Sequence, residues 1–253
     1  MKEISMDFFR DEVRNGFFIP TAVKQAWAAQ LQVLDVIETI CRKHDITYFA
    51  DWGTILGTVR HGGYVPWDDD MDICMKREDY TRFKEAAKTE LPKDFRIHDY
   101  EHQEDHWLFL SRVANSVHIN FEPEHMKQFH NFPYIAGIDI FVLDYLYKDE
   151  QQEKQRCEEV KHIIAVADSI IAGEIAQPVK EANLIQLEEK YHKTFNRKLD
   201  NRHMGIELYR LAEEQMARVP KEESDRMAQI FPWGLLGNRG QDREYYEKFV
   251  RLP

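Results

Sequence analysis

Only three cysteines occur in 253 residues, Cys41, Cys74 and Cys157. Their wide spacing and odd number exclude a disulfide framework and any paired zinc-ligand pattern, so they read as reduced, buried thiols. No apolar run approaches the ~20 residues that a membrane span needs. The N-terminal stretch also lacks an apolar segment of signal-peptide length. A cytoplasmic location is therefore expected, with peripheral membrane association as the remaining way to meet a lipid. Basic residues are in deficit, 34 Lys and Arg against 45 Asp and Glu, giving a formal charge of −11. Such a balance argues against broad electrostatic capture of nucleic acid, and a phosphate ligand would need local help from a cation or a few arginines. Repeats, low-complexity tracts and Ser/Gly linkers are absent too, which favours a compact body with helical additions.

What is present begins with an amphipathic pattern after Pro20. Thr21 is placed to cap a helix in which Val23, Trp27, Leu31, Leu34, Ile37 and Cys41 recur at helical spacing up to "KHD" at 43–45. Its apolar face marks it as a core helix, not a binding helix. The β-branched and aromatic "ITYFA" (46–50) predicts a strand, followed by a turn at Asp51, Trp52 and Gly53 and a short helix through Ile55, Leu56 and Val59. Gly57, Gly62, Gly63 and Pro66 break the chain into a loop that should carry Arg60 and His61. Acid/apolar alternation in "DMDICM" (70–75) predicts a strand, and 77–91 predicts a surface helix stopped by Pro92. Next come "FRIHDY" (95–100) and a hairpin of 106–114 with 117–122 turning at Asn115 and Ser116. A further strand, "GIDIFVLDYLY" (137–147), sets Asp139 between Ile138 and Ile140. From Lys148 the pattern is helical, over about 149–172, 179–198, 202–218 and 222–231. The expected organisation is a mixed α/β portion over 1–147 and a helical one over 148–253.

The most telling stretch is "GTILGTVRHGGYVPWDDDMDI" (53–73), which packs four acids into five positions beside Trp67, Met71 and Ile73. On a strand, Asp70 and Asp72 share a face at ~7 Å between Cα atoms, leaving Met71 and Ile73 to the core. Carboxylates held that close raise each other's pKa unless a cation keeps both ionised. A solvated acidic loop is the ordinary meaning of three adjacent aspartates, but here the acids run into an alternating strand. An EF-hand fits Asp68, Asp70 and Asp72 but fails at Ile73, where glycine is needed, and at Asp79, where glutamate is needed. Glycosidase acids would face each other across a cleft instead of sharing a strand face. The pattern suits Mg²⁺, or Mn²⁺ in its place, a hard ion held by a few carboxylates plus substrate phosphates. Gly53 and Thr54 open a short helix whose backbone N–H groups can meet phosphate oxygens.

A glycine turn, then Asp-apolar-Asp on a strand, then apolar-Asp-apolar on a later strand resembles the polymerase-β-like nucleotidyltransferase fold. The 53–73 segment is more specific and resembles the LicD family, whose members carry Gly-Thr-Leu-Leu-Gly, Arg-His and a Trp-Asp-rich stretch in this order. The likeness takes in "CRKHDITYFADWGT", "REDYTRF" and "GIDIFVLD", over roughly residues 25–145. The fold class it implies is α+β, a mixed sheet with flanking helices plus a mainly helical C-terminal part.

The resemblance implies a cytoplasmic transferase that moves phosphocholine, or a related alcohol phosphate, from a CDP-linked donor such as CDP-choline to a sugar or glycan-lipid acceptor, releasing CMP. Lipopolysaccharide and teichoic acid are acceptors of this kind. Asp70, Asp72 and Asp139 would be the catalytic and metal-holding acids, with one or two ions; Asp139 would complete the site or accept the hydroxyl proton. Gly53, Thr54, Arg60, His61 and Arg112 would meet phosphate. Arg60 could equally serve in a salt bridge to Asp68 or Asp69, His61 in loop packing, and Trp67 in pinning the loop to the core. Choline would call for an aromatic cage, for which Trp52, Tyr64, Trp67, Trp107, Phe132, Tyr134 and Tyr145 are all available. LicD-like chains usually continue past a "YYEKFVRLP"-like segment, so a shortened acceptor region is an expectation too. A nucleotidyltransferase acting on a small acceptor, or an inactive nucleotide-binding module, would share the same acids.

Overall fold

The computed structural model describes residues 3–229 and the backbone of 241–242. In chain order the elements are β1 (Glu12–Arg14), β2 (Phe17–Ile19), α1 (Thr21–Lys43), β3 (Tyr48–Ala50), α2 (Trp52–His61), β4 (Asp72–Lys76), α3 (Arg77–Glu90), β5 (Arg96–His98) and β6 (Ser111–Ala114). They continue with α4 (Pro123–Gln128), β7 (Gly137–Leu146), α5 (Glu150–Ile171), α6 (Gln177–Tyr191), α7 (Asn201–Met216), β8 (Arg226–Ala228) and β9 (Gln241–Asp242). This is an α+β protein with a mixed sheet, flanking helices and a helical C-terminal part. Two compact units divide the chain, Met1–Asp99 with Leu110–Val142, and Tyr100–Phe109 with Leu143–Pro253.

In the first unit the strands run in the order β3-β4-β7-β6-β5, so the two strands bearing the central acids are neighbours. Alternation decides which side each residue takes. Met71, Ile73 and Met75 of the β4 segment and Ile138 and Ile140 of β7 enter one buried cluster with Val33, Ile37 and Phe83 of α1 and α3. Asp72 and Asp139, between them in sequence, are left for the opposite face.

Helix α1 starts where the pattern predicts, but Thr21 is not its cap. Pro20 holds that position without a side-chain bond, and Asp11 accepts from the Thr21 N–H at 2.6 Å. The predicted hairpin of 106–114 with 117–122 does not form. Strand β6 pairs with β5 on one side and β7 on the other, which leaves no edge for a third partner. Residues 117–122 run without strand structure, and Val117, Ile119 and Phe121 are exposed. Their alternation of β-branched and polar residues carries a strand signature that the occupied sheet has no place for.

The second unit is built on α5 and α7, whose close approach needs Gly205: a Cβ there would lie 2.3 Å from Ile171 Cγ1. Val160, Ile163, Ile170, Leu208 and Leu211 are fully buried between such helices. Arg156 and Glu153 are buried with them as an ion pair; Arg156 also donates to the Met216 carbonyl at 2.7 Å and Glu153 accepts from the Tyr147 N–H at 2.9 Å. The predicted helix over 222–231 is instead a single turn at Lys221–Glu223 followed by β8, which pairs with the end of β7; residues 230 and 231 lie outside the described residues. Among the described residues, no helix is long and apolar enough to cross a membrane.

Candidate active site

The acids lie on the run before β4, on β4 itself and on the neighbouring β7. Asp70 precedes β4 and does not share its strand geometry, contrary to the predicted strand over 70–75; Asp72 is the first residue of β4 and is buried. Asp139 lies on the adjacent strand, its N–H donating to the Met71 carbonyl at 3.2 Å. Asp68, Asp69 and Asp70 each offer a carboxylate oxygen within 4.8 Å of the others, the one group of three or more such ligands found among the described residues.

The electrostatics record how crowded these groups are. Burial first, then the charges of Asp70, Asp139, Asp51 and Asp68, push the Asp72 carboxyl up to about 7. Asp70 is raised by burial, then by the charge of Asp68 and a hydrogen bond with it, with Asp69 and Asp139 adding in the same direction. Both shifts have one cause, negative charges gathered where burial already disfavours ionisation. Oxygen ligands of this number, hard and mutually repelling, fit a divalent cation such as Mg²⁺.

Arg112 sits directly opposite Asp139 in the β6–β7 register and forks onto it, Nε to Oδ1 at 2.5 Å and Nη2 to Oδ2 at 2.7 Å. Its stem passes over Gly137, where a Cβ would lie 2.9 Å from Arg112 Cδ. The Asp139 hydrogen bonds raise the guanidinium pKa, and Asp70 and Asp72 add to this through their charge.

Helix α2 contributes its start. Asp51 caps it, accepting from the Trp52 N–H at 2.9 Å. The Thr54 hydroxyl accepts from the Asp72 N–H at 2.8 Å, which ties the helix to β4. Gly53 leaves room for the Asp68 carboxylate, whose Oδ2 would stand 2.2 Å from a Cβ at that position. Burial, with Asp51 hydrogen-bonded alongside, also raises the Cys74 thiol, so this cysteine is a packing residue.

Arg60 and His61 are not in a loop. They end α2, at the opposite end of the helix from Gly53 and Thr54, about 10 Å along its axis. There the His61 ring meets the Asn15 amide at 3.0 Å and the edge of Trp67 at 6.2 Å between centroids, while Arg60 is exposed. Trp67 does not pin the loop to the core: it is 63% exposed and touches Phe17 of β2.

The pin comes from α1, which sequence reasoning took only for a core helix. Trp27 Nε1 donates to the Asp68 carbonyl at 2.8 Å and Gln30 Nε2 to the Asp69 carbonyl at 2.7 Å. Tyr64 stacks on Trp27 at 4.7 Å and 7°, and its hydroxyl donates to Gln30 Oε1 at 2.9 Å. These bonds hold the backbone of the acidic run while its carboxylates stay available. The sequence signal was a glutamine three residues after Trp27; Gln30, like Lys24 and Gln32, is a polar residue buried on α1.

Residues 45–165 match the family model described as LicD/FKTN/FKRP, nucleotidyltransferase domain. Similar proteins include the lipopolysaccharide cholinephosphotransferase LicD of Haemophilus influenzae, 43% identical over 53 residues, which is 21% of this chain and 20% of that protein. An uncharacterized protein of Rickettsia typhi is 39% identical over 54 residues, 21% of this chain and 18% of its own length. Another from Rickettsia prowazekii is 42% identical over 48 residues, 19% of this chain and 18% of that protein. The matched stretches thus span about a fifth of the length of these relatives.

Proposed function

We propose that this protein, whose residues 45–165 carry a LicD/FKTN/FKRP nucleotidyltransferase domain, transfers phosphocholine or a similar alcohol phosphate from a CDP-linked donor to a hydroxyl of a cell-surface glycan or its precursor. The single observation that supports the reading is that Asp72 and Asp139 stand on neighbouring strands, β4 directly following the clustered carboxylates of Asp68, Asp69 and Asp70. The name borne by the Haemophilus influenzae relative, lipopolysaccharide cholinephosphotransferase, supports choline as the alcohol and a glycan as the acceptor.

In the transfer, the acceptor oxygen forms a bond to the donor's distal phosphorus and gives up its proton to water, the bond to the bridging oxygen breaks, and CMP leaves with the electron pair. Asp70, Asp72 and Asp139 would hold Mg²⁺ or Mn²⁺, which would supply charge neutralisation on the diphosphate. Arg112 forks onto Asp139 and can exchange that carboxylate for phosphate oxygens, which offer the same fork geometry. Gly53 and Thr54 keep the helix start close to the acids, and Trp27 and Gln30 fix the acidic run so that its carboxylates cannot drift apart.

The test is incubation with Mg²⁺ and CDP-choline or CTP, with and without a lipooligosaccharide acceptor, followed by mass spectrometry. Free CMP and an acceptor heavier by phosphocholine are expected, both lost in Asp70→Asn and Asp72→Asn. An acceptor carrying CMP would show nucleotidyl transfer instead. No turnover of either nucleotide would overturn the enzymatic reading.

A further inference from the structure

Trp52 is the first residue of α2 and has φ of +42°, a left-handed conformation that a bulky side chain adopts only under constraint from its surroundings. Its neighbours are Asp51, which caps the helix, and Gly53, which abuts Asp68. The indole remains 40% exposed and meets the ring of Phe141 at 5.9 Å and 55°. Phe141 is two residues beyond Asp139 on β7, so the two share a strand face, about 7 Å apart along the strand. Two aromatic rings thus form an open corner on the face of the sheet that carries Asp72 and Asp139.

We infer that the Trp52–Phe141 corner receives the quaternary ammonium of the group being transferred, and that Trp52 is the residue selecting a cationic head group over a neutral one. This rests on the transferase reading above. Ring faces attract cations through their quadrupole, and the attraction grows where water is excluded. Asp51, which is not among the acids assigned to the metal, adds a charge of the favourable sign beside the indole. A flat nucleobase would favour a parallel slot, whereas these rings are inclined by 55° and suit a rounded cation. Spacing agrees as well: only two carbons separate the ammonium of a phosphocholine from its ester oxygen, Phe141 lies two residues from Asp139 on β7, and Trp52 lies two residues from Thr54, whose hydroxyl accepts from the Asp72 N–H.

Phosphocholine and glycerol phosphate are the probes, with binding to the full chain in Mg²⁺ measured by calorimetry and turnover of CDP-choline and CDP-glycerol measured as CMP release. Trp52→Gly, which relieves the positive φ while removing the ring, and Trp52→Phe, which keeps an aromatic face, are the variants. Wild-type protein should favour phosphocholine. Trp52→Gly should weaken phosphocholine roughly tenfold and leave glycerol phosphate within about twofold, at unreduced thermal stability; Trp52→Phe should retain most of the preference. Equal losses for both ligands, or no preference in wild-type protein, would overturn the inference. A Trp52-dependent preference in binding without turnover of either donor would uphold the inference while removing the transferase reading.

Discussion

Arg112 and Asp139 face each other across the β6–β7 ladder, and the guanidinium holds both oxygens of the carboxylate at 2.5 and 2.7 Å. The pair places a cation beside Asp70 and Asp72 in a protein that otherwise crowds negative charge at this point. Arg112→Ala should lower the stability of metal-free protein by about 1 kcal/mol, a small value because the arginine side chain is half exposed. Mg²⁺ should then raise the melting temperature of the variant more than that of wild type, because Asp139 has lost its partner. Equal Mg²⁺ shifts in thermal denaturation would separate Asp139 from the metal.

Asp72 makes the metal-free protein sensitive to pH. Its carboxyl titrates near 3.8 when unperturbed and is pushed up to about 7 in the fold, so folding favours the protonated form. The contribution is fully present below about pH 4 and is lost as pH rises through 7. Urea denaturation in EDTA should show stability falling between about pH 4 and 7 from this group, with a flatter profile in Asp72→Asn. Adding Mg²⁺ at the upper end should recover the loss in wild type and not in the variant.

Two glycines of α2 should separate the acid cluster from the fold. At Gly57 a Cβ would lie 2.4 Å from the Gly63 carbonyl and 2.7 Å from the Val65 N, both backbone atoms that cannot rotate away. Gly57→Ala should cost about 1–3 kcal/mol in chemical denaturation. At Gly53 the obstacle is the Asp68 carboxylate, a side chain that can move. Gly53→Ala should therefore stay folded but change the midpoint of Mg²⁺ stabilisation. The reverse ranking in stability would contradict the packing described for α2.

The Glu153–Arg156 pair, with both residues fully buried, gives a prediction for the second unit. Arg156→Met leaves a buried carboxylate without its cation and should cost about 3–5 kcal/mol. Exchanging both partners, as Glu153→Gln with Arg156→Met, should cost less than the single change. A double variant as unstable as Arg156→Met would show that the arginine acts through its bond to the Met216 carbonyl instead.

Much of the frame was legible because it depends on local periodicity. The spacing of apolar residues in α1 and α3, the alternation about Asp139 and the helical pattern of 149–172 each reappear within a few residues of where they were read. Residues 117–122 show the limit. Their alternation is as clear as that of β7, yet strand formation needs a free neighbouring edge, and β6 is already paired on both sides.

The candidate site divides along the same line. Asp70, Asp72 and Asp139 stand out in sequence because acids between core residues are costly without a purpose, and the LicD/FKTN/FKRP match covers all three. Arg60 and His61, expected on a loop, end α2 instead, at its far end from Gly53 and Thr54.

By itself the sequence determined the order and type of most elements and the alternation that sets Asp72 and Asp139 apart from their apolar neighbours. These follow from residue spacing, which acts over a few positions at most. Only the tertiary structure decided that Arg112 closes on Asp139, that Trp27 and Gln30 hold the acidic run, and that Trp52 meets Phe141. Those pairs lie 27, 41, 39 and 89 residues apart in the chain and meet through strand order and helix packing, which no local pattern encodes.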